Sequence, residues 1–275
     1  MRRLPLFALL SLASALAGCA LVFGIEGGRY APDGGGADAA DADAGAAPDV
    51  QDAQPADAPA PDSGPDACTP VAQAPILTIA DTTLLDVGAN CDPSVRYGGA
   101  PILNLGLVAG GAPSIIILRF VLGAVAARIT ANDPTLSFKI VLSHLDMHAA
   151  CGGPCPYAMG TVQLYPMTNN WEEGTSAMYS GAGWCQRNTV KQTWATNGAG
   201  GSERGALVGF ATMGASPPAS VEVPITPSDV ANLKPWLSGT QLAVAVVPQN
   251  GARAVFGSKE NGAPTTATLV PSFCP

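Results

Sequence analysis

His144, Asp146 and His148 occupy alternate positions, so on a strand their side chains share one face, and imidazole and carboxylate are both metal ligands. Cys151 and Cys155 follow closely. With the histidines they could complete a zinc set, but no second cysteine pair supplies a standard zinc spacing, and in an oxidising compartment the same pair closes a disulfide. Glu172 and Glu173 are adjacent. On a strand they face opposite sides and cannot act as an acid–base pair, which needs about 5–10 Å across a bound sugar, although either could hold a cation. Tyr165, Tyr179, Trp184 and Trp194 lie outside the apolar alternation in glycine- and asparagine-rich surroundings, where a flat amphipathic ring can stay at the surface and bind a ligand. Ordinary packing is the alternative for all four. Serine, histidine and aspartate are present, yet no Gly-x-Ser-x-Gly elbow and no phosphate-binding glycine loop occurs, so no catalytic residue is assigned.

The elements that must position these side chains read as strands. Leu136, Phe138, Ile140 and Leu142 alternate with Ser137, Lys139, Val141 and Ser143, the period of a half-buried strand. Val221, Val223 and Ile225 alternate with Glu222 and Pro224, and the proline predicts an edge position. Ile115–Phe120, Thr161–Tyr165, Gln241–Val247 and Thr265–Val270 are further short runs bounded by glycine, proline or asparagine. One short helix is expected after Thr226, with Thr226 as its cap, Pro227 in its first turn, Asp229 at its positive end and Val230, Leu233 and Leu237 on one face. Glycine (32) and proline (25) make up about a fifth of the 275 residues, which disfavours a helical protein. Short strands without intervening helices predict an all-β antiparallel sandwich of the jelly-roll kind.

The chain begins with Arg2 and Arg3 followed by an uncharged stretch from Leu4 to Leu16. At about 1.5 Å per residue this is too short to cross a bilayer core of about 30 Å as a helix, and it reads as a signal peptide over residues 1–18. Residues 19–67 are dominated by alanine, aspartate, proline and glycine, with ten acids against the single base Arg29 between Ala20 and Ala67. Like charges and scarce branched apolar residues predict a disordered tether, and Asp41 and Asp43 lack the glycine and glutamate of a calcium loop. Residues 68–275 are left nearly neutral, and with a net charge of −8 for the whole chain no basic stripe exists to meet nucleic acid. Of seven cysteines, Cys151 with Cys155 is the local pair and Cys68 with Cys274 ties the domain ends. Elimination leaves Cys91 with Cys185.

Leu16-Ala17-Gly18-Cys19 resembles the lipobox of bacterial lipoproteins. That resemblance implies cleavage before Cys19, acylation of its thiol and amino group, and anchoring in a membrane by several acyl chains. Ala20 in place of aspartate implies, by the same resemblance, the outer membrane or cell surface.

Five further motifs occur in order: Arg96-Tyr97-Gly98-Gly99-Ala100-Pro101 leading to Leu103-Asn104-Leu105-Gly106; Ile117-Leu118-Arg119-Phe120; Trp171-Glu172-Glu173-Gly174-Thr175; Lys234-Pro235-Trp236-Leu237; and Phe256-Gly257-Ser258-Lys259-Glu260. Together they resemble the DNRLRE, or disaggregatase-related, domain over about residues 76–273. The resemblance implies a jelly-roll β-sandwich that binds acidic or structural polysaccharide without cleaving it. Tyr97, Arg119, Phe120 and Trp171, sitting in recurring motifs, are expected to serve core and turn roles, Arg119 paired to a buried carboxylate. The cysteine loop within Ser143–Gly160 and the Trp184–Gly201 stretch depart from the pattern. The expected protein is a monomeric, non-catalytic lipoprotein with polysaccharide and membrane as partners and no cofactor beyond a structural calcium. A structural or adhesive envelope protein is the alternative, and a polysaccharide lyase or glycosidase is the third reading.

Overall fold

The alternation over Leu136–Leu142 becomes a strand because Phe138, Ile140 and Leu142 reach the core while the residues between them are half-exposed. The computed structural model describes residues 68–86, 97–107, 112–174, 181–188, 192–262 and 264–275. The expectations for residues 1–18 and 19–67, with Cys19, and those for Cys91 and Tyr179 lie outside the described residues. The elements run β1 (Val71–Ala72), β2 (Ile76–Leu85), β3 (Ile102–Leu107), β4 (Pro113–Val121), α1 (Val125–Thr130), β5 (Ser137–Ser143), β6 (Met147–His148), β7 (Gly153–Pro154), β8 (Gly160–Met167), β9 (Gly209–Met213), β10 (Ser220–Ile225), α2 (Pro227–Val230), β11 (Gln241–Gln249), β12 (Ala254–Gly257) and β13 (Thr268–Phe273).

The fold is all-β and antiparallel. Strands follow the order β10-β5-β13-β2-β4-β11-β8-β9, and the two end strands meet again. A Cβ on Gly209 of β9 would overlap the carbonyl oxygen of Pro224 on β10, so the curled sheet is nearly closed and sandwich-like. β10 has a single ladder partner, β5, and the Pro224 position at an edge is therefore as the sequence predicts. β3 pairs with both β4 and β12.

Between the two faces lies one apolar core, with Leu118, Phe120, Ile140, Leu142, Leu164, Val223, Val244 and Phe256 all buried. Each such side chain contributes about 1.5–3 kcal/mol by leaving water. A second cluster covers the opposite face of β4 and β11. There Ile115, Ile117, Ala243 and Ala245 pack against Trp171, Trp194 and Ala199, which come from the chain between β8 and β9. Burial on both faces explains why Ile115–Phe120 is a nearly continuous apolar run rather than an alternating one.

Helix α2 continues as a 3-10 helix over Ala231–Trp236 and buries Val230 and Leu233. Thr226 does not cap it with its side chain. Its hydroxyl donates to the Asp229 carboxylate at 2.5 Å, and its main-chain carbonyl accepts from Asp229 and Val230. The sequence does not foretell α1, which lacks a side-chain N-cap. It buries Ala126 and Ile129 and ends at Asn132 with φ of 55°, where Arg128 pairs with Asp133 at 2.6 Å.

Cys68 is bonded to Cys274 with Cα atoms 6.0 Å apart, and Cys151 to Cys155 with Cα atoms 5.2 Å apart. Two of the three expected pairings are therefore present, and the second excludes these thiols as zinc ligands. Cys185 is also disulfide-bonded. Among the described residues no helix is long and apolar enough to cross a membrane.

Candidate functional site

Asp81 sits in β2 between Ala80 and Thr82 and is 1% exposed. Its Oδ2 accepts from the Lys259 main-chain N–H at 2.8 Å, while its own N–H donates to Glu173 Oε1 at 2.8 Å. Lys259 then sends its ammonium to Glu173 Oε2 at 3.1 Å and to Glu260 Oε1 at 2.5 Å. One oxygen from each of Asp81, Glu173 and Glu260 lies within 4.8 Å of the other two. Asp81 Oδ1 is buried and has no hydrogen-bond donor.

Three separated segments are held in place to build this cluster. The turn after β12 is fixed by Ser258, whose hydroxyl donates to Ala100 O at 2.6 Å and accepts from Glu260 N–H at 3.2 Å. Glu173 is wedged by its main chain, since a Cβ on Gly98 would overlap its carbonyl oxygen. Residues 169–171 are clamped by Arg119, which donates to Asn169 O at 2.8 Å and to Trp171 O and lies 4.3 Å from the centre of the Trp171 ring. Arg119 thus binds main-chain carbonyls rather than forming the carboxylate pair expected for it; Glu173 acts on it only through its charge.

The electrostatics follow from burial. Loss of water pushes the Asp81 carboxyl up to about 7; the Lys259 N–H opposes the rise, and the charges of Glu260 and Glu173 add to it. Burial also raises Glu173, against the hydrogen bonds from Asp81 and Lys259. For Lys259, burial disfavours the ammonium, but its contacts with Glu260 and Glu173 outweigh that and raise its pKa.

Elsewhere the structure distributes the sequence-derived candidates. Trp194 is 4% exposed and donates its indole N–H to Gly183 O at 2.8 Å; its ring belongs to the second apolar cluster and is closed to a ligand from solution. Trp184 is half-buried against the same cluster. Its ring lies over Gly198, whose φ of +71° and lack of a Cβ leave it room. Tyr165 is half-buried and donates its hydroxyl to Gln163 Oε1 at 2.8 Å. His144 is buried, edge-on to Tyr157 with ring centres 5.2 Å apart. Its Nδ1 lies 3.1 Å from Asp146 Oδ1, off the line of a hydrogen bond, and burial pushes its pKa down. His148 uses Nδ1 to accept from Ala150 N–H at 3.1 Å. His144, Asp146 and His148 do not converge as a ligand set; among the described residues that is done by Asp81, Glu173 and Glu260.

A groove of about 600 Å³ runs along β3 and β12, lined by Tyr97, Asn104, Leu107, Pro154, Pro156 and Arg253 among others. The Cys151–Cys155 loop forms one wall. Arg253 Nε is buried there without an acceptor.

Sequence reasoning missed Asp81 altogether and assigned no role to Lys259 and Glu260. The available signal was one acid inside the ten-residue apolar and β-branched run Ile76–Leu85. No protein-family model matches the chain, and no curated protein matches it.

Proposed function

We propose that the chain is a lipid-anchored envelope protein whose β domain holds an extracellular or cell-wall polysaccharide in the groove along β3 and β12 without cleaving it. The observation that carries this reading is the groove itself. It combines an aromatic ring (Tyr97), planar polar groups (Asn104 and Arg253) and apolar walls, the mixture that binds a sugar's hydroxyl edge and its flat C–H face together. Among the described residues, those lining it carry no carboxylate and no imidazole, which favours holding over hydrolysis or elimination. The resemblance to DNRLRE domains, including their jelly-roll architecture, supports the same reading.

The test is a glycan array probed with the purified full chain. Tyr97→Ala and Arg253→Ala are each expected to weaken retention about tenfold, a loss of about 1.4 kcal/mol, while Lys139→Ala, on the exposed Lys139–Glu222 pair, should bind as the native chain does. A second reading has its own observation. Leu207 and Phe210 are 39% and 60% exposed and flank Pro224 at the β9–β10 seam, an apolar patch suited to protein contacts in a structural or adhesive role. Silence across acidic and neutral glycans from a folded sample would move the assignment there.

The anchor is tested separately. Cys19→Ser is expected to move the chain from the membrane fraction to the soluble one with its melting temperature unchanged. Persistence in the membrane fraction would refute the lipid anchor.

A further inference from the structure

We infer that Asp81, Glu173 and Glu260 form a binding site for one divalent cation of calcium's size, which the Lys259 ammonium guards and partly imitates. The carboxylate oxygens have the right spacing. Oxygens bound to one calcium at about 2.3–2.6 Å lie up to about 5 Å apart, and these three lie within 4.8 Å of one another.

The independent observation is Asp81 Oδ1. Asp81 is 1% exposed, one of its oxygens lies within 4.8 Å of the Glu173 and Glu260 oxygens, and Oδ1 is buried without a donor, an arrangement that proteins rarely leave unresolved. Lys259 does not satisfy it. Its ammonium reaches Glu173 and Glu260 and leaves the third carboxylate with an open oxygen. The Lys259 side chain is 29% exposed, so it can swing outward when a stronger cation enters.

The donors are all hard oxygens, without sulfur or imidazole, which selects calcium or magnesium over transition metals. Calcium fits better because it tolerates irregular carboxylate geometry and sheds its water readily, whereas magnesium demands a near-octahedral shell and retains several waters. The ligands come from β2, from the segment after β8 and from the turn after β12. An ion there would join three distant parts of the chain, and its binding would appear as folding stability.

The experiment is calorimetric titration of CaCl2 into the full chain after EDTA treatment and desalting, paired with thermal melts. The ten acids between Ala20 and Ala67 are unchanged in every variant, so any calcium they take up is a common background. The native chain is expected to take up one ion above that background and to melt roughly 5–10 °C higher at about 100 times Kd. Glu260→Gln, at a side chain 25% exposed, should weaken the event at least tenfold; Asp81→Asn should do the same. Lys259→Met, which removes the competing ammonium, should tighten it severalfold. An unchanged affinity in Glu260→Gln would overturn the site even if Asp81→Asn fails to fold. A calcium response confined to Lys259→Met would overturn it as well, since the lysine would then be the resident cation. MgCl2 as potent as CaCl2 would refute the choice of calcium. None of these results depends on whether the groove along β3 and β12 binds a glycan.

Discussion

Replacing Trp194 with alanine is expected to lower the stability of the domain by about 3–5 kcal/mol, the range for deleting a large buried aromatic side chain. The ring is 4% exposed and packs in the cluster that covers Ile117, Ala243 and Ala245. The substitution also strips Gly183 O of its indole donor at 2.8 Å, which adds the cost of an unmet buried carbonyl. Thermal unfolding followed by circular dichroism would show the loss, at about 2–4 °C of melting temperature per kcal/mol for a domain of this size. Tyr165→Phe, which deletes only the hydroxyl that meets Gln163, is the control and should cost about 1 kcal/mol or less. A Trp194→Ala variant as stable as that control would return the ring to the surface and restore it as a ligand contact.

The second large effect is expected at Asp81, in buffer with EDTA. Its folded pKa of about 7 lies above the ordinary value of 3.8, so the folded state binds the proton more tightly than the unfolded state. The stability tied to that proton is fully present below about pH 4 and lost as pH rises through about 7. Three pKa units correspond to roughly 4 kcal/mol. An asparagine side chain in its place is neutral throughout and adds no third anion beside Glu173 and Glu260. Asp81→Asn should therefore gain stability relative to the native chain as pH rises from 5 to 8.5. Glu173 is also raised by burial and tilts the native curve in the same direction. His144, lowered by burial, tilts both proteins alike below about pH 6.5, so the difference between the two curves isolates the cluster. Chemical denaturation at each pH provides the measurement, and parallel curves would mean that Asp81 does not titrate as a buried carboxyl.

Period-two alternation was enough to read β5 and β10 from the sequence, and Pro224 placed β10 at an edge, because these features act over a few residues. The Cys151–Cys155 pairing is legible for a similar reason, since three residues lie between the two cysteines, while Cys68–Cys274 is legible because its members bracket the domain. α1 was hidden because six residues without a polar cap carry no local start signal. Trp194 looked exposed because its glycine- and asparagine-rich flanks describe the loop around it, whereas its burial depends on a sheet face formed by β4 and β11. The carboxylate cluster was the least legible part. Asp81 meets Lys259 across 178 residues and Glu173 across 92, and no spacing rule spans such distances. Adjacency suggests that Glu172 and Glu173 do not pair and that either can hold a cation, but not that Glu173 meets Asp81 and Lys259 on other segments.

The bond between Cys68 and Cys274 has a mechanical consequence. It closes a loop 206 residues around, with β1 and β13 lying antiparallel just inside the clasp. Tension applied between the chain upstream of Cys68 and Pro275 crosses from one cysteine to the other through a single covalent link. The sheets are bypassed, so such a pull neither unzips nor stretches them, and the fold stays slack while its ends are under strain.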